Sequence, residues 1–322
     1  MTVDYTASAP GKVNLHLGVG EARPDGYHEL STVFQAVDRR EVVVLAAHPE
    51  RPAVASGSVV ARLETTFRVT RPTEDIDTPR NLAWRAVDAA VEAYRRLAPA
   101  PAPLPPVDLA VDKSVFVAGG MAGGSADAAA ALVAAAAYVE DFTGFRLDDT
   151  ALLREAAALG ADVPFCLQGG TALGSGRGDE LCEMMSRGEY WWVFINPMVA
   201  LPTGETFACL DDMRHGDASL VPHMGTTRLA QALVTGDPRR VAAALHNDLE
   251  PAAVALRPQL RRLLDVAGSR GLKAIVSGSG PTVALLCEDA LSAINTRDEI
   301  YDQYDEFEAV FAKGPVEGAV VQ

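Results

Sequence analysis

Apolar and polar positions alternate along TASAPGKVNLHLGVG, Thr6 to Gly20, with Asn14 and His16 set between Val13, Leu15 and Leu17. A period of two predicts a half-buried strand, and it puts Lys12, Asn14 and His16 on one face. Glu41 to Ala46 and Thr65 to Val69 are richer in β-branched residues and predict two more strands. From Leu82 the period changes. Leu82, Val87, Val91 and Tyr94 have helical spacing as far as Leu97, with Asp77 to Asn81 as the capping region. Ala98 to Pro106, APAPAPLPP, is a stiff surface connection that leads into an apolar strand at Val107 to Val111.

The next stretch organises the chain. Val117 to Ala136 reads VAGGMAGGSADAAAALVAAA, with Gly119, Gly120, Gly123, Gly124 and Ser125 crowded ahead of an alanine run. Alanine is the strongest helix former, so the order is strand, glycine loop, helix. Glycine permits tight turns and close approach of backbone to a ligand. A helix N-terminus directly behind the loop adds unpaired N–H groups and a positive dipole end, which together suit an anion, most often phosphate. The loop is not a P-loop, because no G-x-x-x-x-G-K-[ST] occurs, and it lacks the dinucleotide G-x-G-x-x-G arrangement.

Beyond it, Leu147 to Leu159 is amphipathic and Gly160 ends that helix. Asp162 then stands before Pro164 at what reads as a helix–strand junction, either a placed carboxylate or a plain cap. GSGRGDE, Gly174 to Glu180, predicts a hairpin turn between strands. Tyr190 to Ile195 is a buried strand, and a second domain is expected to start near Ser186, dividing the chain into 1–185 and 186–322. Leu229 to Val234, Val241 to Leu245 and Leu260 to Ala267 are helical. Leu272 to Val276 and Val283 to Cys287 flank SGSGPT, which is either a hairpin or a second set of backbone donors. RPDGYHEL opens with turn residues Pro24, Asp25 and Gly26. Standing alone, Tyr27 and His28 behind it read as a turn-flanking aromatic and a surface histidine.

Composition narrows the classes. A net charge of −15 argues against a nucleic-acid partner, so an anionic substrate must be held by local donors. With 48% hydrophobic and 22% charged residues and no apolar run of membrane-spanning length, the expectation is a globular protein without a membrane partner. MTVDYTASAPGK has no signal-peptide character. Cys166, Cys182, Cys209 and Cys287 form no C-x-x-C, which fits reduced thiols and a cytoplasmic location. Oligomeric state is not legible.

Three segments together resemble the GHMP kinases: APGKVNL, GGMAGGSADAA and SGSGP. Within them, PDGYHEL, GADVPF and NDLE resemble the branch whose acceptor is 4-diphosphocytidyl-2-C-methyl-D-erythritol, over nearly the whole chain. The loop departs from the usual one: Ala118, Ala122 and Ala126 replace two glycines and a serine, and Phe116 stands where proline is common. The resemblance implies an α+β fold with a ribosomal-protein-S5-like N-terminal domain and a ferredoxin-like C-terminal domain. It implies ATP and Mg²⁺, and phosphorylation of the acceptor's 2-hydroxyl in non-mevalonate isoprenoid synthesis. It makes Lys12 and Asp162 the catalytic pair. Asn14, Tyr27, His28, Thr203 and Phe207, with Asp162, fall on substrate positions. Asn81, Leu82 and Lys113 fall on the adenine side, and the triphosphate lies along Val117, Ala118, Gly119, Gly120, Met121, Ala122, Gly123, Gly124, Ser125, Ala126 and Asp127. Ser125 and Asp127 are the candidates for holding the metal. Another small-molecule GHMP kinase and a non-catalytic nucleotide-binding regulator are the alternatives, and Lys12 with Asp162 argues against the second.

Overall fold

The alternation that begins at Thr6 extends in both directions: β1 runs Val3–Ala22 and pairs antiparallel along its length with β2, His28–Ala47. The computed structural model describes residues 2–23, 26–117 and 119–322, so the readings of Pro24, Asp25 and Ala118 lie outside the described residues. β2 continues far upstream of the expected 41–46 stretch. Thr32 and Gln35 are wholly buried there, and their polarity hides the strand from a hydrophobic scan.

The bulge between Asn14 and His16 leaves Leu15 without a partner and re-aims the residues after it. Val13 and Leu15 enter one core cluster, Leu17 and Val19 another. His16 therefore does not join Lys12 and Asn14, as the alternation predicted; its ring lies 5.7 Å from His223 and 5.6 Å from His246.

β3 is Val60–Phe67, α1 Leu82–Leu97 and β4 Val107–Lys113. Asn81 caps α1 by accepting from the Ala83 N–H, as the capping region predicted. α2, Gly123–Thr143, follows the glycine loop. Its alanines 128–131 are fully buried, so the helix is enclosed by β1, β2, α1 and α3, Asp149–Leu159. Asp162 does not lie at a helix–strand junction. It precedes a short helix, α4 (Val163–Gln168), whose first turn accommodates Pro164 because that N–H would have no intrahelical partner. β5, Thr171–Ser175, and β6, Glu180–Glu183, form the expected hairpin and attach to β2.

β7, Tyr190–Asn196, begins the second sheet. After it come α5 (Thr203–Gly216), α6 (Thr227–Thr235), α7 (Pro238–Ala242), the short β8 (His246–Asn247), α8 (Glu250–Leu256) and α9 (Gln259–Gly268). β9 (Lys273–Val276), β10 (Val283–Cys287), α10 (Ala290–Gln303) and β11 (Glu308–Gly314) complete that unit. Its sheet order is β11-β7-β10-β9, all antiparallel, with α9 and α10 on one face, which is the ferredoxin-like arrangement. β12, Val320–Val321, returns to pair with β1.

The other face of the second sheet shares a core with the first. Tyr190, Trp192 and Phe194 pack with Val13, Leu15 and Val33, and Trp192 Nε1 donates to Gln35 Oε1 at 3.2 Å. α5, α8 and α10 were not read from the sequence.

Ala122 caps α2 in left-handed backbone, φ 59° and ψ 32°. A non-glycine residue there costs roughly 1–2 kcal/mol. Ala122→Gly relieves that strain against a smaller loss of unfolded-chain restriction. It is expected to raise stability by up to about 1 kcal/mol, read as an increased denaturant midpoint with an unchanged m-value.

Candidate active site

β1 delivers Lys12 and Asn14 into a cleft between the glycine loop, α4 and the 277–281 turn. Lys12 is 4% exposed, so its ammonium needs partners. Nζ donates to Asn14 Oδ1 at 2.6 Å and to the Gly120 carbonyl at 3.0 Å, and stands 3.8 Å from Asp162 Oδ2. The Phe34 ring lies 5.5 Å beneath it. Asn14 Nδ2 in turn donates to Thr32 Oγ1, whose hydroxyl donates to the His16 carbonyl. The ammonium is thus aimed by a hydrogen-bonded chain that runs back into β1 and β2. Asp162 forms no cap bond with α4, and its carboxylate, one-third exposed, faces the cleft.

The glycine loop and the SGSGP turn meet in close backbone contact, with Ser277 Oγ also donating to the Gly120 carbonyl. A Cβ on Gly120 (φ +76°) would lie 2.2 Å from the Ser277 carbonyl oxygen. One on Gly278 (φ +58°) would approach Asn14 Oδ1 at 3.2 Å and Lys12 Nζ at 3.4 Å. The turn is a hairpin between β9 and β10, and it also forms a wall of the cleft through Gly278, Ser279 and Gly280. At the start of α2 no side chain caps the helix and no acidic residue occupies the first turn. The cleft there is lined by Gly119, Gly120, Ala122, Gly123, Gly124 and Ser125, the setting for an anion.

Other predicted residues lie elsewhere. Met121 is fully buried, and its carbonyl accepts the Lys12 N–H. Val117 does not line the cleft, and Ala126 belongs to the α2 core. Leu82 lines the cleft, whereas the Asn81 side chain is spent on Ala83 N and the Ile76 carbonyl. Lys113 and Asp127 are turned inward: Lys113 Nζ contacts Asp127 Oδ2 at 2.5 Å and Glu41 Oε1 at 3.0 Å. Glu41 also accepts the Ser114 N–H, and it sits directly under Gly123. Burial pushes the Glu41 carboxyl up to about 7 and raises that of Asp127, against the pull of Lys113.

Among the described residues no three His, Cys, Asp or Glu converge as metal ligands. With Asp127 held by Lys113, Ser125 and Asp162 are the oxygens left facing the cleft from the two expected sets. That donor set fits a Mg²⁺ shared with nucleotide phosphates and does not form an all-protein cage.

A second cavity of about 420 Å³ opens beside the cleft. Tyr27 enters it from just before β2, His28 from the first position of β2, and Thr203 and Phe207 from α5. His28 Nε2 lies 2.9 Å from Asp211 Oδ1, and its ring is centred 5.0 Å from that of Phe207. Thr203 Oγ1 is 2.9 Å from Ser279 Oγ, so α5 is tied to the cleft turn. Asp211 and Arg177 were missed. Asp211 follows Phe207 by one helical turn, a spacing that would have been visible had α5 been recognised.

Residues 81–170 match the family described as GHMP kinases N terminal domain, and 229–306 match GHMP kinases C terminal. A Corynebacterium efficiens protein named 4-diphosphocytidyl-2-C-methyl-D-erythritol kinase is 50% identical over 97% of this chain and 94% of its own. A Mycobacterium avium protein of the same name is 42% identical over 99% and 94%. A crystal structure of 4-(cytidine 5'-diphospho)-2C-methyl-D-erythritol kinase superposes with a TM-score of 0.71 at 26% identity, covering 97% of this chain and 98% of that one. A mevalonate kinase from L. major shares the fold, with a TM-score of 0.70 at 11% identity and coverage of 97% and 96%.

The buried Glu41 carboxyl gives a pH signature. Its folded value, raised from 4.5 to about 7, means the native state binds more protons across that window. Its contribution is therefore fullest below the unfolded value and is lost as pH rises through 7. Glu41→Gln removes that titration. Relative to the parent, the variant should be more favoured at pH 8 than at pH 5 in denaturant melts; an equal difference at both would contradict the assignment.

Proposed function

The chain belongs to the GHMP kinases, and on that premise we propose that it transfers the γ-phosphoryl group of ATP to the 2-hydroxyl of 4-diphosphocytidyl-2-C-methyl-D-erythritol, a step of the methylerythritol phosphate route to isoprenoid precursors. The observation that carries this reading is Lys12 Nζ at 3.8 Å from Asp162 Oδ2, beside an uncapped helix N-terminus. The division near Ser186 and a cytoplasmic site of action, consistent with four free thiols, belong to the same proposal.

Phosphoryl transfer depends on in-line positioning and charge neutralisation. The triphosphate lies along the N–H groups that open α2, with the adenine toward Leu82. The acceptor hydroxyl sits between Lys12 and Asp162. Asp162 takes the hydroxyl proton as the oxygen attacks γ-phosphorus, and ADP leaves. Lys12 stabilises the negative charge that develops on that oxygen; its bonds to Asn14 and Gly120 hold it in place beforehand. Ser125, which lines the cleft beside the helix N-terminus, would hold Mg²⁺ together with the nucleotide, and the metal would supply further neutralisation of phosphate charge there. The second cavity takes the cytosine, between the faces of Tyr27 and Phe207 and beside His28.

Asp162→Asn should lower kcat by about 10²–10⁴ while sparing ATP binding. Lys12→Met should act similarly, and the double variant should be no worse than the more damaged single one, because the pair acts as a unit. Near-full turnover of Asp162→Asn would leave that carboxylate a structural role only.

Stacking on a base contributes roughly 1–3 kcal/mol per contact. Tyr27→Ala and Phe207→Ala should each raise KM for the cytidine substrate by about 5- to 150-fold and leave KM for ATP nearly unchanged. His28→Ala should narrow the preference for the cytidine over the uridine analogue. Equal losses toward both substrates would put the cytosine elsewhere.

A further inference from the structure

NDLE, Asn247 to Glu250, takes no part in the chemistry above, yet Leu249 brings it to the border of the cleft. Its first residue lies on β8, which runs parallel to β1 with Asn247 opposite Leu17, three positions beyond Asn14. Asp248 N donates to the Leu17 carbonyl at 2.9 Å, so the segment is fastened to the strand that carries Lys12. Asn247 is buried and lines neither cavity. Both of its amide hydrogens are nevertheless committed. Nδ2 donates to the Val276 and Gly278 carbonyls, each at 2.8 Å, and Oδ1 accepts the Leu249 N–H at 2.8 Å. These partners fix which way the carboxamide points, because the flipped group would set Oδ1 against two carbonyl oxygens.

The two carbonyls belong to the part of the second sheet that reaches the reacting groups. β9 is an edge strand, so backbone groups on its open side need partners from outside the sheet. At Val276 the NDLE segment supplies both: Glu250 Oε2 accepts the N–H at 2.9 Å, and Asn247 donates to the carbonyl. Two residues on, Gly278 backs directly onto Asn14 Oδ1 and Lys12 Nζ. A single carboxamide therefore joins the strand bearing Lys12 to the turn that closes over its ammonium.

We propose that Asn247 is a positioning residue for phosphoryl transfer, which acts by holding Gly278 against Lys12 and so keeping the ammonium at the acceptor oxygen. This rests on the assignment of Lys12 to the reaction. Without the two donors, buried carbonyls at 276 and 278 are left unpaired, and the turn relieves them by moving toward water. Gly278 then withdraws from Lys12 and the seat of the ammonium widens. A displacement of about 1 Å in a reacting group lowers rates by as much as about 100-fold.

The test is steady-state turnover of Asn247→Ala with ATP, Mg²⁺ and the diphosphocytidyl acceptor, in the parent protein and in Lys12→Met. In the parent, Asn247→Ala should lower kcat by about 10- to 100-fold and leave both KM values within about threefold. In Lys12→Met the same change should lower kcat by no more than about twofold, because its effect passes through Lys12. Asn247→Asp keeps the shape and the bond from Leu249. Its carboxyl, kept neutral by the two carbonyl oxygens it faces, donates to one of them, so its kcat should lie between those of the parent and Asn247→Ala. If Asn247→Ala does not fold, Asn247→Asp is read in both backgrounds in its place. A kcat close to the parent's, or an equal fold-loss with and without Lys12, would overturn the proposal and leave Asn247 a bond of the fold alone. Near-full turnover of Lys12→Met would overturn the catalytic reading itself, and this proposal with it.

Discussion

Backbone-to-backbone contact between the 119–124 loop and the 277–281 turn is the constraint on which the cleft depends. No side chain fits at Gly120, where the Ser277 carbonyl occupies the space of a Cβ, and Ser277 Oγ donates to the Gly120 carbonyl at 3.1 Å. That same carbonyl accepts from Lys12. One peptide group therefore sets the separation of the two sheets' loops and the position of the buried ammonium together. A shift of either loop would strand a charge that is almost wholly removed from water.

The remaining walls are tied to that contact by side chains. Thr203 joins α5 to the turn, and Arg214 of α5 reaches back to the Val19 carbonyl and to Asp248. Glu29 binds the Gly176 N–H and lies 3.4 Å from Arg23, so the hairpin tip and the turn bearing Tyr27 share one carboxylate. Behind the cleft, the apolar core that Val13, Leu15 and Val33 share with Tyr190, Trp192 and Phe194 makes the two sheets one packed body. With that core between them, the sheets resist moving as separate halves, and adjustment to a ligand falls to the turns and hairpin around the two cavities.

How much of this was legible varies from element to element. The glycine loop, α1 with its Asn81 cap, and both hairpins follow from local rules, since glycine, alanine and cap residues act over a few positions. The upstream half of β2 was hidden because Thr32 and Gln35 are buried polar residues whose partners, Asn14 and Trp192, lie far along the chain. α5 was hidden because its few apolar residues are scattered among charges, and Arg214 and Thr203 fix it through distant contacts. Lys113 and Asp127 could be read as cleft residues from their motif. Only the fold reveals Glu41 beneath them, turning both inward. Arg177 was visible as a turn residue, while its place on the wall common to the two cavities depends on β2 and α5 together.

If the outer cavity takes the base as proposed, the bond between His28 and Asp211 bears on which base is favoured. A carboxylate only accepts, so the proton between them belongs to Nε2. In the neutral ring this fixes the tautomer and leaves the lone pair on Nδ1. An imidazole locked in this form presents an acceptor on its far edge. Such an edge complements the exocyclic amine of cytosine, and it would meet the corresponding carbonyl of uracil lone pair to lone pair. Discrimination between two pyrimidines of nearly equal shape would thus be set by the α5 carboxylate, one residue removed from any contact with the base.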